Sequence, residues 1–481
     1  MNGISASRKS LWLEWFLVLA VFLASNLNSA LRQKQNTLNG GTAWETPYYK
    51  LAQQFVLHQP REGEAPYAFR LGTPWFVSLI STQDSIRPFR AAHTAALAAS
   101  MFTEGPYTYA IGGPWLHSFV SPPDLFRSFR LVNITGSAIA IILLVFWLRG
   151  YVSDWRIRVL LVTLFVTQWD APPRLVYHSP VHVDAWLFVF VLAGLLVVRR
   201  YLAQPSTGAL VALSALAIGG AYFRDATLFV PLSLMAAHRP LVKENGQWQW
   251  RLPPWEAGVP FVCGLLAFLS TRHFAHQTDG YSFFQTIYRF LYDKPVLTYV
   301  HAWCLAFGPV LFILLFDWKG ARDFLLQEQW LALFLLAGAG FGFVGGTDTE
   351  RLQYWSMPGV YLLLGRAIER HRPTLANAAL IGFLTLGQIL SCRILWTTPD
   401  YPTDFAHTFP ILQQFGSNVQ LLDLFSFHGY RPKESLSLVE YLLFGAVVLY
   451  WMRRRARRLE SVGGGGSQGT TLFFKDKHGR F

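Results

Sequence analysis

Long apolar stretches separated by short basic ones recur along the whole chain, and no other feature constrains its fold as tightly. Clear runs fall near 11–30, 131–148, 157–170, 185–198, 257–272, 298–316, 329–346, 374–394 and 436–452, with weaker ones at 207–222, 226–237 and 353–365. A bilayer core takes ~20 apolar residues per helix, so the pattern predicts an all-α integral membrane protein with about twelve transmembrane helices. Composition excludes the soluble alternatives. Of 481 residues 52% are hydrophobic and 14% charged, against about 25% charged in soluble chains. Cys263, Cys304 and Cys392 all lie inside apolar runs and show no zinc-ligand spacing.

The formal net charge of +13 does not point to nucleic acid, because the basic residues fall in short clusters at the ends of apolar runs. Alternating the spans from an inside N-terminus sends Arg8/Lys9, Arg149/Arg156/Arg158, Arg199/Arg200, Arg239/Lys243/Arg251, Lys319/Arg322, Arg366/Arg370/Arg372 and Arg453–Arg458 to inside loops. That is the positive-inside bias. The last cluster reads as a stop anchor touching anionic membrane lipid. Polar constellations then fall outside, in 31–130, 171–184, 223–225, 273–297, 347–351 and 395–435. Residues 1–455 form one polytopic domain, and 456–481, with Gly463–Gly466 and Ser467, a flexible cytoplasmic tail.

Residues 1–30 admit two readings, a signal peptide or an uncleaved helix; Glu14 and the lack of a small-x-small site favour the helix. The outer loop 31–130 is too long for a passive connection. Thr46-Pro47 suits a helix start, and Tyr48, Leu51, Ala52, Phe55 and Val56 give one apolar face, which predicts a short helix on the membrane surface. The loop is also duplicated at a spacing of 40. Pro66-Tyr67, Gly72, Pro74-Trp75, Ser78, Ser81, Asp84, Arg87 and Phe89-Arg90 recur from Pro106-Tyr107 to Phe129-Arg130. Arg70 in the first copy corresponds to Ala110 in the second. The first copy is therefore expected to carry function and the second to be structural.

Several charged residues stand at outer span ends, where a lipid phosphate would lie. Arg70, Arg224 and Arg351 have the fork geometry for phosphate oxygens, although Arg224-Asp225 and Glu350-Arg351 offer adjacent partners. Lys50 could reach headgroups. Glu45 precedes the first outer helix, either as a general base or as a carboxylate complementing the helix N-terminus. His178, His182 and Asp184 have a metal-like spacing, but Pro180 interrupts the helix and Asp184 suits a cap for the next span. Asp348 has the same capping reading. Trp75, Trp115, Trp169, Tyr281, Tyr288 and Trp355 read mostly as interfacial belt residues, and 273–297 as a segment able to act as a lid.

The stretch Gly41-Thr42-Ala43-Trp44-Glu45-Thr46-Pro47-Tyr48-Tyr49-Lys50-Leu51-Ala52, then Pro66-Tyr67-Ala68-Phe69-Arg70-Leu71, resembles the first outer loop of bacterial GT-C-type membrane glycosyltransferases. Val183-Asp184, Arg224-Asp225, and Asp348-Thr349-Glu350-Arg351 with Pro358 beyond are further echoes. The resemblance implies a GT-C-like fold with a helical first outer loop, in a bacterial cytoplasmic membrane with the active site outside. It implies sugar transfer from a polyprenyl-phosphate donor to a glycan, lipid or protein acceptor, with Glu45 as the catalytic acid-base residue. Glu stands where Asp is usual, and alone rather than in an acidic pair. No cofactor is expected, and a divalent metal is not favoured. Alternatives are a polysaccharide polymerase or ligase of lipid-linked glycans, or a lipid or glycan transporter. Charges at span ends rather than mid-membrane favour chemistry over transport.

Overall fold

Inside a membrane every backbone N–H and C=O must find a partner within its own segment, and the apolar runs accordingly fold as helices. A computed structural model describes residues 8–32, 46–86, 125–168, 171–176, 181, 183–237, 241–244, 247–280, 282–293, 296–345, 349–392 and 432–463. Among them, five helices are long and apolar enough to cross a membrane: Ser10–Ser29, Leu125–Arg149, Asp184–Ala203, Trp255–Phe274 and Val296–Phe316. The pair Trp318–Gln327 and Gln329–Val344, bent by 114°, makes a sixth if counted as one span. Thr207–Phe223, Asp225–Leu234 and Ala378–Ser391 are apolar but shorter. The helical membrane class is present, and among the described residues at most six of the twelve expected spans reach crossing length.

Glu14 shows why a carboxylate sits in the first apolar run. It lies on α1 (Arg8–Arg32), is 1% exposed, and accepts hydrogen bonds from Arg158 Nε at 2.7 Å, Arg158 Nη2 at 2.8 Å and Arg149 Nη2 at 3.0 Å. Its partners come from the start of Trp155–Thr167 and the end of Leu125–Arg149, so the fork fastens three helices. The same end of the bundle gathers Ser153 on Glu369 (2.8 Å), Arg372 on Asp154 (3.1 Å), and Arg370 and His371 on Asp317 (2.8 and 2.9 Å). Arg455 closes the group by donating to the carbonyls of Pro373 and Ala376. Four of the basic segments, around Arg149–Arg158, Asp317, Glu369–Ala376 and Arg455, therefore meet at one end.

Between the ends the helices pack through aromatic side chains. Trp147 is fully buried and donates to the Pro358 carbonyl at 2.9 Å, while Phe165, Phe188 and Tyr354 fill the middle.

At the opposite end the segment that follows the first helix builds a platform. Helix α2 (Thr46–Val56) forms as its apolar spacing requires, and its apolar face is turned to protein. Leu51 and Ala52 are both 0% exposed, and Tyr48, Tyr49 and Val56 share a core with α3 (Gly72–Leu79) and with Phe126 and Phe129. Protein rather than lipid covers that face. A two-residue strand, Glu62–Gly63, pairs in parallel with His276–Gln277, and Asp279 Oδ1 accepts from the Ala65 N–H at 2.9 Å. These bonds fasten the platform to the segment after Val259–Phe274. A second small sheet, Leu241–Glu244 with Gln247–Trp250, is an antiparallel hairpin. The second copy of the duplication, through Trp115, lies outside the described residues up to 124.

Candidate functional site

Asp184 is the first residue of the helix Asp184–Ala203, about 30 Å from the basic end by the helical rise of twenty residues. The expected capping role is not what it does. The N-cap position belongs to Val183 and has no side-chain hydrogen bond, while the Asp184 carboxylate is 1% exposed and turned to other helices. Arg224 Nε and Nη2 reach Asp184 Oδ1 at 3.0 and 2.9 Å. Trp355 Nε1–H donates to Oδ2 at 3.3 Å, and Arg351 Nε lies 3.6 Å from the same oxygen.

Arg224 ends Thr207–Phe223 in an extended conformation, which turns its side chain back beneath the platform. It is 2% exposed, and its guanidinium carbon lies 4.7 Å above the Trp355 ring. Low dielectric around such a pair makes an unmatched charge costly, so Asp184 is the condition for a buried Arg224. The adjacent carboxylate, Asp225, does not pair with Arg224. It faces Arg70 Nη2 at 4.0 Å.

Tyr48 joins the two pairs. Its hydroxyl accepts from Arg70 Nη1 at 2.8 Å and from Arg224 Nη1 at 3.4 Å. Burial pushes the Arg70 pKa down, and the Tyr48 and Asp225 oxygens outweigh it and raise it above the ordinary value. Arg70 thus remains a cation. Of the three arginines Arg351 is the most open, with 23% of its side chain exposed against 12% for Arg70 and 2% for Arg224. A pocket of about 30 Å³ between Arg70, Asp225 and Arg272 is large enough for a water.

The structure thus brings together Arg70, Arg224, Arg351, Asp184 and Asp225. Lys50, on the exposed side of α2, is not part of the group. Glu45, His182 and Asp348 lie outside the described residues, as do Tyr281 and His178. In sequence the first three directly precede Thr46, Val183 and Thr349, which open or adjoin the elements supplying the cluster. Among the described residues no group of three or more His, Cys, Asp or Glu side chains is placed to hold a metal ion.

Sequence reasoning missed Tyr48 and Trp355, which pattern analysis places on an apolar face and in an interfacial belt. It also missed a cavity of about 530 Å³ behind the cluster, lined by Phe55, Leu71, Trp75, Phe76, Phe190 and Phe223, with Arg61 at its margin. No signal in the sequence joins these positions, which come from five separate segments.

No family model, no curated protein and no solved structure matches this chain.

Proposed function

We propose that the chain is a GT-C-type membrane glycosyltransferase that moves a sugar from a polyprenyl-phosphate donor to a glycan, lipid or protein acceptor. One observation carries the reading: arginines and carboxylates from four separate outer segments converge around Tyr48 and Asp184, at the end opposite the basic loops. The resemblance of residues 41–52 and 66–71 to the first outer loop of such enzymes supports it independently. In this reading the three shorter apolar helices, together with Trp155–Thr167, Met357–Arg370 and Pro432–Gly463, complete a twelve-span bundle in a bacterial cytoplasmic membrane, with the cluster facing outward.

The acceptor hydroxyl attacks the anomeric carbon, its proton passes to Glu45, and the sugar–phosphate bond breaks with the electron pair leaving on phosphate. Arg351 is the guanidinium best placed to meet that phosphate charge, because its side chain is the most exposed of the three. Arg224 and Asp184 position Trp355 and Tyr48 rather than bind the donor. A polymerase or ligase of lipid-linked glycans would draw on the same groups, whereas a transporter needs no base.

Transfer of radiolabelled sugar from a lipid donor by purified protein tests the reading. Glu45→Gln lowers turnover by roughly two to four orders of magnitude and leaves donor binding intact. Arg351→Ala weakens donor binding and turnover together, by about 1.5–3 kcal/mol. Wild-type turnover in Glu45→Gln removes the base assignment. Glycan translocation without any transfer, equal in both proteins, establishes the transporter instead.

A further inference from the structure

The arginines gathered at the basic end of the bundle mostly find acceptors. Glu14 takes Arg149 and Arg158, Asp154 takes Arg372, Asp317 takes Arg370, and the Pro373 and Ala376 carbonyls take Arg455. The last helix, Pro432–Gly463, departs from this rule. Its Arg453, Arg454, Arg457 and Arg458 are exposed, and among the described residues their side chains meet no carboxylate or carbonyl. Glu460, the only acid after Tyr450 in that helix, pairs with none of them. Like charges so close along one helix repel, and an anion between them removes that cost.

Tyr450, Arg454 and Arg458 recur every four residues and so form one ridge along that helix. An open groove of about 440 Å³ runs along one flank of the ridge, against Asn377, Val447, Trp451 and Arg455. A second, of about 880 Å³, runs along the other, against Ala446, Leu449, Arg453 and Arg457. The three ridge residues line both. Each groove is therefore basic at one end and apolar at the other. One turn back, the exposed Leu442 and Leu443 extend the apolar ends toward the middle of the helix. Arg455 pins the helix to Pro373 and Ala376 and so fixes the wall of the first groove. A stop anchor needs only charge in water. Grooves graded from guanidinium to aliphatic match a lipid headgroup and its first methylenes.

We propose that the two grooves hold the two phosphates of one structural membrane lipid whose headgroup joins two phosphodiesters through a short polyol. That headgroup sits astride Tyr450, Arg454 and Arg458, with acyl chains along Leu442 and Leu443. Each phosphate meets two guanidiniums that the protein itself leaves open, Arg454 and Arg458 being shared. Because the grooves share a wall, an anion in one stands close to an anion in the other. Two separate lipids would each lose their freedom to bring those charges together. A covalent link between the phosphates makes the second contact intramolecular and so favours the joined headgroup. The apolar ends of the grooves favour a lipid over a soluble polyanion such as a nucleic acid. The site lies at the end of the bundle opposite Asp184 and is independent of the sugar-transfer reading.

The test titrates the full chain in neutral detergent with diphosphatidylglycerol, or with phosphatidylglycerol at equal phosphate, and counts bound lipid by native mass spectrometry. One diphosphatidylglycerol per chain is expected to bind at least tenfold more tightly than phosphatidylglycerol. Arg454→Gln combined with Arg458→Gln should weaken it roughly thirtyfold, and the fold should survive because both side chains are exposed and bond nothing. Arg200→Gln combined with Arg322→Gln removes the same charge from exposed positions of the same end and should leave binding unchanged. Equal affinity for the two lipids in the wild type overturns the joined headgroup without recourse to any variant. An equal loss in the two double variants overturns the site in favour of general surface charge. Undiminished binding in the Arg454 and Arg458 double variant, or displacement of the lipid by a soluble oligonucleotide at equal phosphate, overturns it as well.

Discussion

Asp184→Asn removes one charge and almost no volume, and its cost can be worked from the partners left behind. Arg224 keeps at most a neutral amide oxygen where a carboxylate had received both Nε and Nη2, at 3.0 and 2.9 Å. At 2% exposure it has no access to water. Arg351, with 23% of its side chain exposed, rehydrates and contributes little. The loss is therefore set by one uncompensated buried guanidinium, about 3–5 kcal/mol. Equilibrium unfolding in mixed micelles, followed by tryptophan fluorescence, measures it. Replacing both partners with apolar residues, Asp184→Leu with Arg224→Met, should recover most of that stability while abolishing transfer, because it removes the charge together with its counter-charge. A loss below about 1 kcal/mol in Asp184→Asn would refute the argument. A double variant no more stable than the single one would refute it too.

Glu14→Gln should cost about 3 kcal/mol in the same assay, since it removes the negative charge and one of the two oxygens that accept from Arg149 and Arg158, and Glu14→Asp should recover only part because the shorter arm cannot serve both. Asp317 should make stability pH-dependent: burial raises its carboxyl pKa, but hydrogen bonds from His371 and Arg370 outweigh this and hold it below the ordinary 3.8. A depressed carboxyl stabilises the fold above its unfolded pKa and loses that contribution as pH falls through the folded one, so the wild type should lose more stability than Asp317→Asn between about pH 5 and pH 3. Identical pH slopes in the two proteins would contradict it.

The helical membrane class and the basic end were legible in the sequence, because both rest on local pattern: apolar length sets a helix, and arginines at its end set a side. Partner choice was not legible. Arg224-Asp225 and Glu350-Arg351 look like ready pairs in a line of text, yet Asp184, forty positions before Arg224, takes both arginines. Side chains of adjacent residues diverge at the extended break where Arg224 lies, and only tertiary packing decides what each meets. For the same reason the spacing of α2 did not tell what its apolar face packs against. An amphipathic face shows that something apolar covers it, without saying whether lipid or Phe126 does so. Arg61 was invisible, as a lone arginine in a polar turn carries no periodicity at all.

The parallel pairing of Glu62–Gly63 with His276–Gln277 also sets a clock on biogenesis. Ala65 and Asp279, joined by the same junction, are 214 residues apart. At synthesis rates of about 5–20 residues per second, the platform waits roughly 10–40 s for the strand that completes its edge. Helices from Leu125 to Phe274 must be threaded into the membrane during that wait. The platform is thus begun early and finished late, and a chain stopped short of residue 276 leaves it open at that edge.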